Sequence, residues 1–162
     1  MAIIDTRIDD RLIHGQVCSF WIPEYSLDRI VIVDDAIAQD ETRKTALRFG
    51  CPERCKLSIF NATKAADKFS QQIDRGTRVM ILTGHPQPIL AMVQNGFKVD
   101  HVTVGNMSTK SNANQIRKTV FVSAEEWQAF HRLALAGIPI FNQMIPTDAR
   151  ENITDLFQSE HC

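Results

Sequence analysis

The 162-residue sequence has no apolar run approaching the roughly 18 residues a membrane-spanning helix needs, so the chain is not expected to cross a bilayer by itself. It opens Met1-Ala2-Ile3-Ile4-Asp5, without the basic-then-apolar pattern of a secretory signal, and the expected address is the cytoplasm. A dominant charge sign is also missing. Eighteen Lys and Arg face 19 Asp and Glu, a formal net charge of −1 with no long run of either sign. That argues against a general nucleic-acid binder or a polybasic membrane binder. Four cysteines are too few and too scattered to frame a disulfide scaffold. Cys51 and Cys55 stand in Cys-Pro-Glu-Arg-Cys, but no second Cys or His pair at matching spacing supports zinc, and His161-Cys162 at the end of the sequence is a poor substitute. No metal is expected, and the cysteines read as reduced thiols, some of them packing residues. With no linker, low-complexity tract or internal repeat, residues 1–162 read as one domain.

What is present is an alternation. Ile30-Val31-Ile32-Val33, Val79-Met80-Ile81-Leu82 and Thr119-Val120-Phe121-Val122 are near-continuous apolar runs rich in β-branched residues. Shorter ones begin at Leu57, His101 and Ile138. Runs apolar on both faces read as parallel strands covered by helices on each side. Between them, Ala62, Ala65, Ala66, Phe69 and Ile73 share one helical stripe. Pro86 and Pro88 open a second helical segment that Gly96 closes, and Asp40 to Gly50 reads as a third. Ser123-Ala124-Glu125-Glu126 is a capping-box pattern ahead of Trp127, Phe130 and Leu133. The fold class expected is α/β: an open, doubly wound, mainly parallel sheet of about six or seven strands. Pro139 suggests that the last run is an edge strand. In such folds the chemistry sits in loops at the carboxyl ends of the strands, where the strand order reverses.

The first strand, roughly Ala2 to Thr6, runs into Arg7-Ile8-Asp9-Asp10-Arg11-Leu12-Ile13-His14-Gly15-Gln16-Val17. This loop carries neither a Gly-x-Gly-x-x-Gly nor a P-loop pattern, so no nucleotide cofactor is supported. Neutral imidazole is a nucleophile that can carry a phosphoryl group on nitrogen. Guanidinium forks match phosphoryl oxygens, and the free N–H groups of a helix starting near Gly15 would add donors and a positive dipole end. His14 is therefore the expected phosphoryl acceptor, with Arg7 and Arg11 as charge partners, and with Asp9 or Asp10 pairing an arginine or fixing one imidazole tautomer. Asp34 and Asp35, after the second strand, would either hold an arginine in place or cap the next turn. Thr83, after the fourth strand, would donate a hydrogen bond to the phosphate. Trp21 and Phe20 read as core or interface, and His101 and His131 as ordinary strand and helix residues.

The loop sequence from Arg7 to Val17 resembles the signature of the mannose/sorbose-class enzyme IIB component of the phosphoenolpyruvate-dependent sugar phosphotransferase system. Val33-Asp34-Asp35-Ala36, Val104-Gly105-Asn106-Met107, Gln115-Ile116, Lys118 to Val122 and Pro146-Thr147-Asp148 are similar to later family blocks in the same order. The resemblance implies a phosphocarrier that takes a phosphoryl group on His14 from a phosphohistidine of a IIA protein or domain. It would pass that group to a sugar bound by membrane IIC and IID partners, so that the protein is cytoplasmic and peripherally associated with the membrane complex. It further implies phosphate contacts from the loop, including Gly15 and Gln16, and phosphate carriage on the δ1 nitrogen. Two departures stand out. Asp5 replaces an apolar residue of the first strand, which would unsettle the core or mark an exposed strand end. The Gly-Lys pair before Gln115 is missing, leaving Lys110 as a substitute. Sugar choice belongs with the membrane partners, although Asn106 and Gln143 lean towards the N-acetylgalactosamine branch; oligomeric state and the IIA docking face stay open. The alternatives are a receiver-like module phosphorylated on aspartate and a sugar-phosphate binder that performs no transfer.

Overall fold

The computed structural model describes residues 2–72 and 75–161. Seven strands form one sheet in the order β3-β2-β4-β1-β5-β8-β9, where β1 is Ala2–Asp9, β2 Arg29–Val33, β3 Lys56–Phe60, β4 Arg78–Thr83, β5 Val102–Asn106, β8 Ile140–Asn142 and β9 Glu151–Asn152. All neighbours pair in parallel except β8 and β9. Helices fill the connections: α1 (Ile22–Tyr25), α2 (Asp35–Ala38), α3 (Glu41–Gly50), α4 (Ala62–Ser70), α5 (Gln87–Gln94) and α6 (Ala124–Leu135). This is the expected doubly wound α/β class. Ile30, Ile32, Met80, Leu82 and Val104 are fully buried, because each central strand is covered on both faces.

Two expectations change. Val120–Ser123 (β7) is not in the parallel sheet; it forms an antiparallel hairpin with Ala113–Arg117 (β6) and buries Val120 and Val122 against the core while its alternate residues stay partly open, the pattern of a strand covered on one face. Pro139 precedes β8, where its missing N–H costs no ladder bond and its carbonyl accepts from Val102 N–H at 2.9 Å. The edge beyond β8 belongs to the two-residue β9. The α4 stripe is buried at Ala62, Ala65, Ala66 and Phe69, while Ile73 lies outside the described residues, as does Cys162. At α6 the capping box forms in full: the Ser123 side chain accepts from Glu126 N–H, and Glu126 accepts from Ser123 N–H.

Because β4 and β5 flank β1, the segment leaving β1 emerges at the middle of the sheet between the exits of its two neighbours. A helical stretch over 15–25 follows it. Its middle, Val17–Trp21, is π-helical, and the π turn directly precedes Pro23, whose ring and absent N–H disrupt ordinary α-helical bonding.

Candidate functional site

Alternation along β1 puts Asp5, Arg7 and Asp9 on one face, and all three are buried. The chain then turns sharply. Leu12 N–H donates to Asp9 carbonyl at 2.9 Å, and Leu12 itself adopts a left-handed conformation (φ 58°) with its side chain buried. Strain of this kind persists where the surroundings fix it, and here it delivers His14 to the start of the following helix.

Asp9 organises the loop. Its Oδ1 accepts from Arg11 N at 3.1 Å and Arg11 Nε at 3.0 Å; its Oδ2 accepts from Arg11 Nη2 at 2.8 Å and faces His14 Nε2 at 3.2 Å. Burial alone would raise this carboxyl, yet the bonds from His14 and Arg11 hold it below the ordinary carboxylate range. An ionised carboxylate can only accept, so Nε2 carries the proton. On the other side of the ring, Gln16 N–H donates to Nδ1 at 3.2 Å, which requires a lone pair there. The two contacts together place the proton on Nε2 and leave Nδ1 unprotonated, its lone pair held by Gln16 N–H at the start of a helix. The side chain of His14 is 17% exposed and that of Arg11 33%. A partner can reach both. Gly15 is exposed, and a Cβ built on it would meet no atom within 4 Å, so the space in front of the helix is open.

The neighbouring aspartate does something else. Asp10 accepts from Asn106 Nδ2 at 2.8 Å, Ser108 Oγ at 3.0 Å and Ser108 N at 2.6 Å, fastening the loop to the exit of β5. The sequence left the roles of Asp9 and Asp10 undivided; pleat direction divides them.

Arg7 departs from expectation. Its guanidinium is fully buried, stacks 4.1 Å from the Trp21 ring centroid, and donates Nη2 to the carbonyls of Gln143 (2.6 Å) and Met144 (2.8 Å). Trp21 Nε1 donates to the same Met144 carbonyl at 3.1 Å. Arg7 thus ties β1 to the segment after β8 instead of facing the His14 ring, and burial pushes its pKa down. Asp5 is its counter-charge at 3.9 Å and accepts from Thr103 Oγ1 and faces His101 Nε2, each at 2.9 Å. Asp5 is therefore neither a disturbed core position nor an exposed strand end, and His101 is part of a polar network under β1.

The secondary candidates mostly serve structure. Asp34 Oδ1 caps α2 by accepting from Ile37 N–H at 2.8 Å, and Asp35 Oδ1 accepts from Ala62 N–H at 2.9 Å at the start of α4. Neither binds Arg7 or Arg11, so the capping alternative holds. Thr83 is fully buried, and its hydroxyl donates to the His85 carbonyl at 3.3 Å. Lys110 is committed to Glu126, at 2.7 and 2.9 Å from its two oxygens. The left-handed Leu12 and the Arg7–Trp21 stack were missed; Pro23 within a helical stretch was the one signal for the π turn.

Residues 3–162 match the family model described as the PTS system sorbose subfamily IIB component. The chain belongs to that family. The protein is thus a sugar-specific IIB component of the sorbose/mannose class, a group of phosphotransferases that work with IIA and membrane IIC components. It is 35% identical over 159 residues to the fructose-specific EIIB component of Bacillus subtilis (strain 168), covering 98% of each chain. It is 32% identical to the sorbose-specific EIIB component of Lacticaseibacillus casei, covering 94% of this chain and 93% of that one. The mannose-specific EIIAB component of Escherichia coli (strain K12) is 33% identical, and the match takes in 96% of this chain but 48% of that protein. Among solved structures, the IIBSor domain of the sorbose permease from Klebsiella pneumoniae superposes with TM-score 0.89 at 31% identity, covering 98% of this chain and 97% of that one. Among the described residues, no helix of this IIB component is long and apolar enough to cross a membrane.

Proposed function

We propose that this IIB component accepts a phosphoryl group on His14 Nδ1 from the phosphohistidine of a IIA partner and passes it to a sugar. The sugar is held by membrane IIC and IID partners during uptake, and the protein works at the cytoplasmic face of that complex. The observation that carries the reading is the pair of contacts on the ring, Asp9 on Nε2 and Gln16 N–H on Nδ1.

The Nδ1 lone pair attacks phosphorus, the P–N bond of the donor phosphohistidine breaks, and the donor ring recovers its lone pair. Asp9 keeps the Nε2 proton in place and stabilises the charge that builds on the ring when it is substituted. The bond from Gln16 N–H is then free to turn to a phosphoryl oxygen, joined by the open N–H of Gly15 and the Arg11 guanidinium. In the second half-reaction a sugar hydroxyl attacks phosphorus, the P–N bond to His14 breaks, and the hydroxyl proton leaves to solvent or a base on the partner. Positioning and charge compensation carry both steps. Arg7 acts by holding the segment around Gln143 and Met144 against the helix after His14, and Asp34, Asp35 and Thr83 by shaping the flanking exits.

The test incubates a phosphorylated IIA protein with wild type and with His14→Ala. Incorporation into wild type that is acid-labile and base-stable, and lost in the variant, is expected. Undiminished labelling of His14→Ala, or a label labile to both acid and base as for an acyl phosphate, would overturn the assignment.

A further inference from the structure

The Cys-Pro-Glu-Arg-Cys segment contributes no residue to the proposed phosphoryl transfer, yet the fold closes it into a thiol pair. Cys55 N–H donates to the Pro52 carbonyl at 3.0 Å, a turn that folds Cys55 back towards Cys51. The Cys51 thiol then donates to the Cys55 carbonyl oxygen at 3.3 Å, and the Cys55 thiol faces the Lys56 carbonyl at 3.8 Å, so both sulfurs sit within the one turn. Their environments differ: Cys51 is partly exposed and Cys55 is buried. The neighbouring Cys55 thiol favours ionisation of Cys51 against the effect of burial, while Cys55 is pushed up. A partly exposed sulfur beside a sheltered second thiol is the arrangement of an attacking and a resolving cysteine.

The pair also touches the machinery. A Cβ built on Gly50 would sit 3.5 Å from Ile13 Cγ2, so the residue before Cys51 packs against the residue before His14. Cys18, whose N–H donates to the His14 carbonyl at 3.0 Å, shares an apolar cluster with Cys51, Cys55, Leu12 and Ile13. Burial raises the Cys18 thiol, which makes it a poorer nucleophile than Cys51.

We infer that Cys51 and Cys55 form an oxidisable dithiol in which a hydroperoxide converts Cys51 to a sulfenic acid and Cys55 closes an intramolecular disulfide. In the first step the Cys51 sulfur bonds to the distal peroxide oxygen, the O–O bond breaks, and the departing oxygen leaves as water or an alcohol with the thiol proton. In the second, Cys55 sulfur attacks Cys51 sulfur, the S–OH bond breaks, and hydroxide leaves with the Cys55 proton as water. Two thiols lose two electrons and two protons; one peroxide is reduced.

The full chain treated with stoichiometric hydrogen peroxide tests this by intact and peptide mass spectrometry, and needs no transfer partner. Expected are a loss of about 2 Da, a cross-link mapped to Cys51–Cys55, recovery on thiol reduction, and the same cross-link in Cys18→Ser. Cys51→Ser, at the partly exposed position, abolishes it. An unchanged mass, oxygen addition without cross-linking, or a bridge that maps to Cys18 or Cys162 would overturn the inference, whatever the outcome for His14.

Discussion

Replacing each loop arginine separates two jobs that the sequence ran together. Arg7→Met keeps length and apolar bulk but removes a fully buried cation. It deletes both Nη2 bonds, to Gln143 and Met144, and leaves the buried Asp5 carboxylate without the charge 3.9 Å away. Breaking a buried pair by removing one partner costs about 3–5 kcal/mol. In a domain of this size each kcal/mol lowers the melting temperature by about 2–4 °C, so the expected fall is about 6–20 °C. Arg11→Ala is different, since that guanidinium is one-third exposed and water can replace the aspartate. Its stability loss should stay near 1 kcal/mol or below. Transfer from phosphorylated His14 should slow by about 100-fold, because charge on the moving group loses a compensating donor, while His14 remains modifiable. Thermal unfolding and single-turnover transfer on both variants decide the matter. A stable Arg7→Met protein with impaired transfer, or an unstable Arg11→Ala protein with normal transfer, would refute this division.

Other consequences are as direct. The Asp9 carboxyl is held below its unfolded value, so the stability it contributes is complete above that value, near pH 4, and is lost as pH falls through the lower folded value. Asp9→Asn should accordingly lose stability less steeply than wild type below about pH 4, and transfer more slowly at neutral pH; matching urea-unfolding profiles across pH 2–5 would contradict this. Gly105→Ala drives a Cβ into the Arg7 guanidinium and should lower the urea midpoint by an amount equivalent to about 1–3 kcal/mol; an unchanged midpoint means Arg7 is not fixed there. Treating the IIB component with a chelator should leave phosphoryl acceptance from a preloaded donor unaltered, and its loss would indicate a metal requirement.

The sheet was legible because burial on both faces writes β-branched runs directly into the sequence, as in Ile30–Val33 and Val79–Leu82. The same rule misplaced Val120–Ser123, where apolar content reflects packing of a hairpin on the sheet's core. His14 and Asp9 were legible as residue types needed by the chemistry. Arg7 was not, since a guanidinium reads alike whether it meets phosphate or buried carbonyls, and its partners lie 136 and 137 positions away. Asp34 and Asp35 illustrate the reverse: a cap is decided by neighbouring N–H groups, and both carboxylates are taken by them. Sugar preference is no clearer from relatives, since the similar proteins named for fructose, mannose and sorbose all lie within a few per cent of one another in identity.

The central claim is that an Nε2-protonated His14, fixed by Asp9, offers Nδ1 to phosphorus. Phosphorus–nitrogen coupling in the NMR spectrum of the phosphorylated, 15N-labelled IIB component tests it most directly. The account predicts coupling to Nδ1 of His14, with Nε2 still protonated; coupling to Nε2, or to the ring of another histidine, would contradict it.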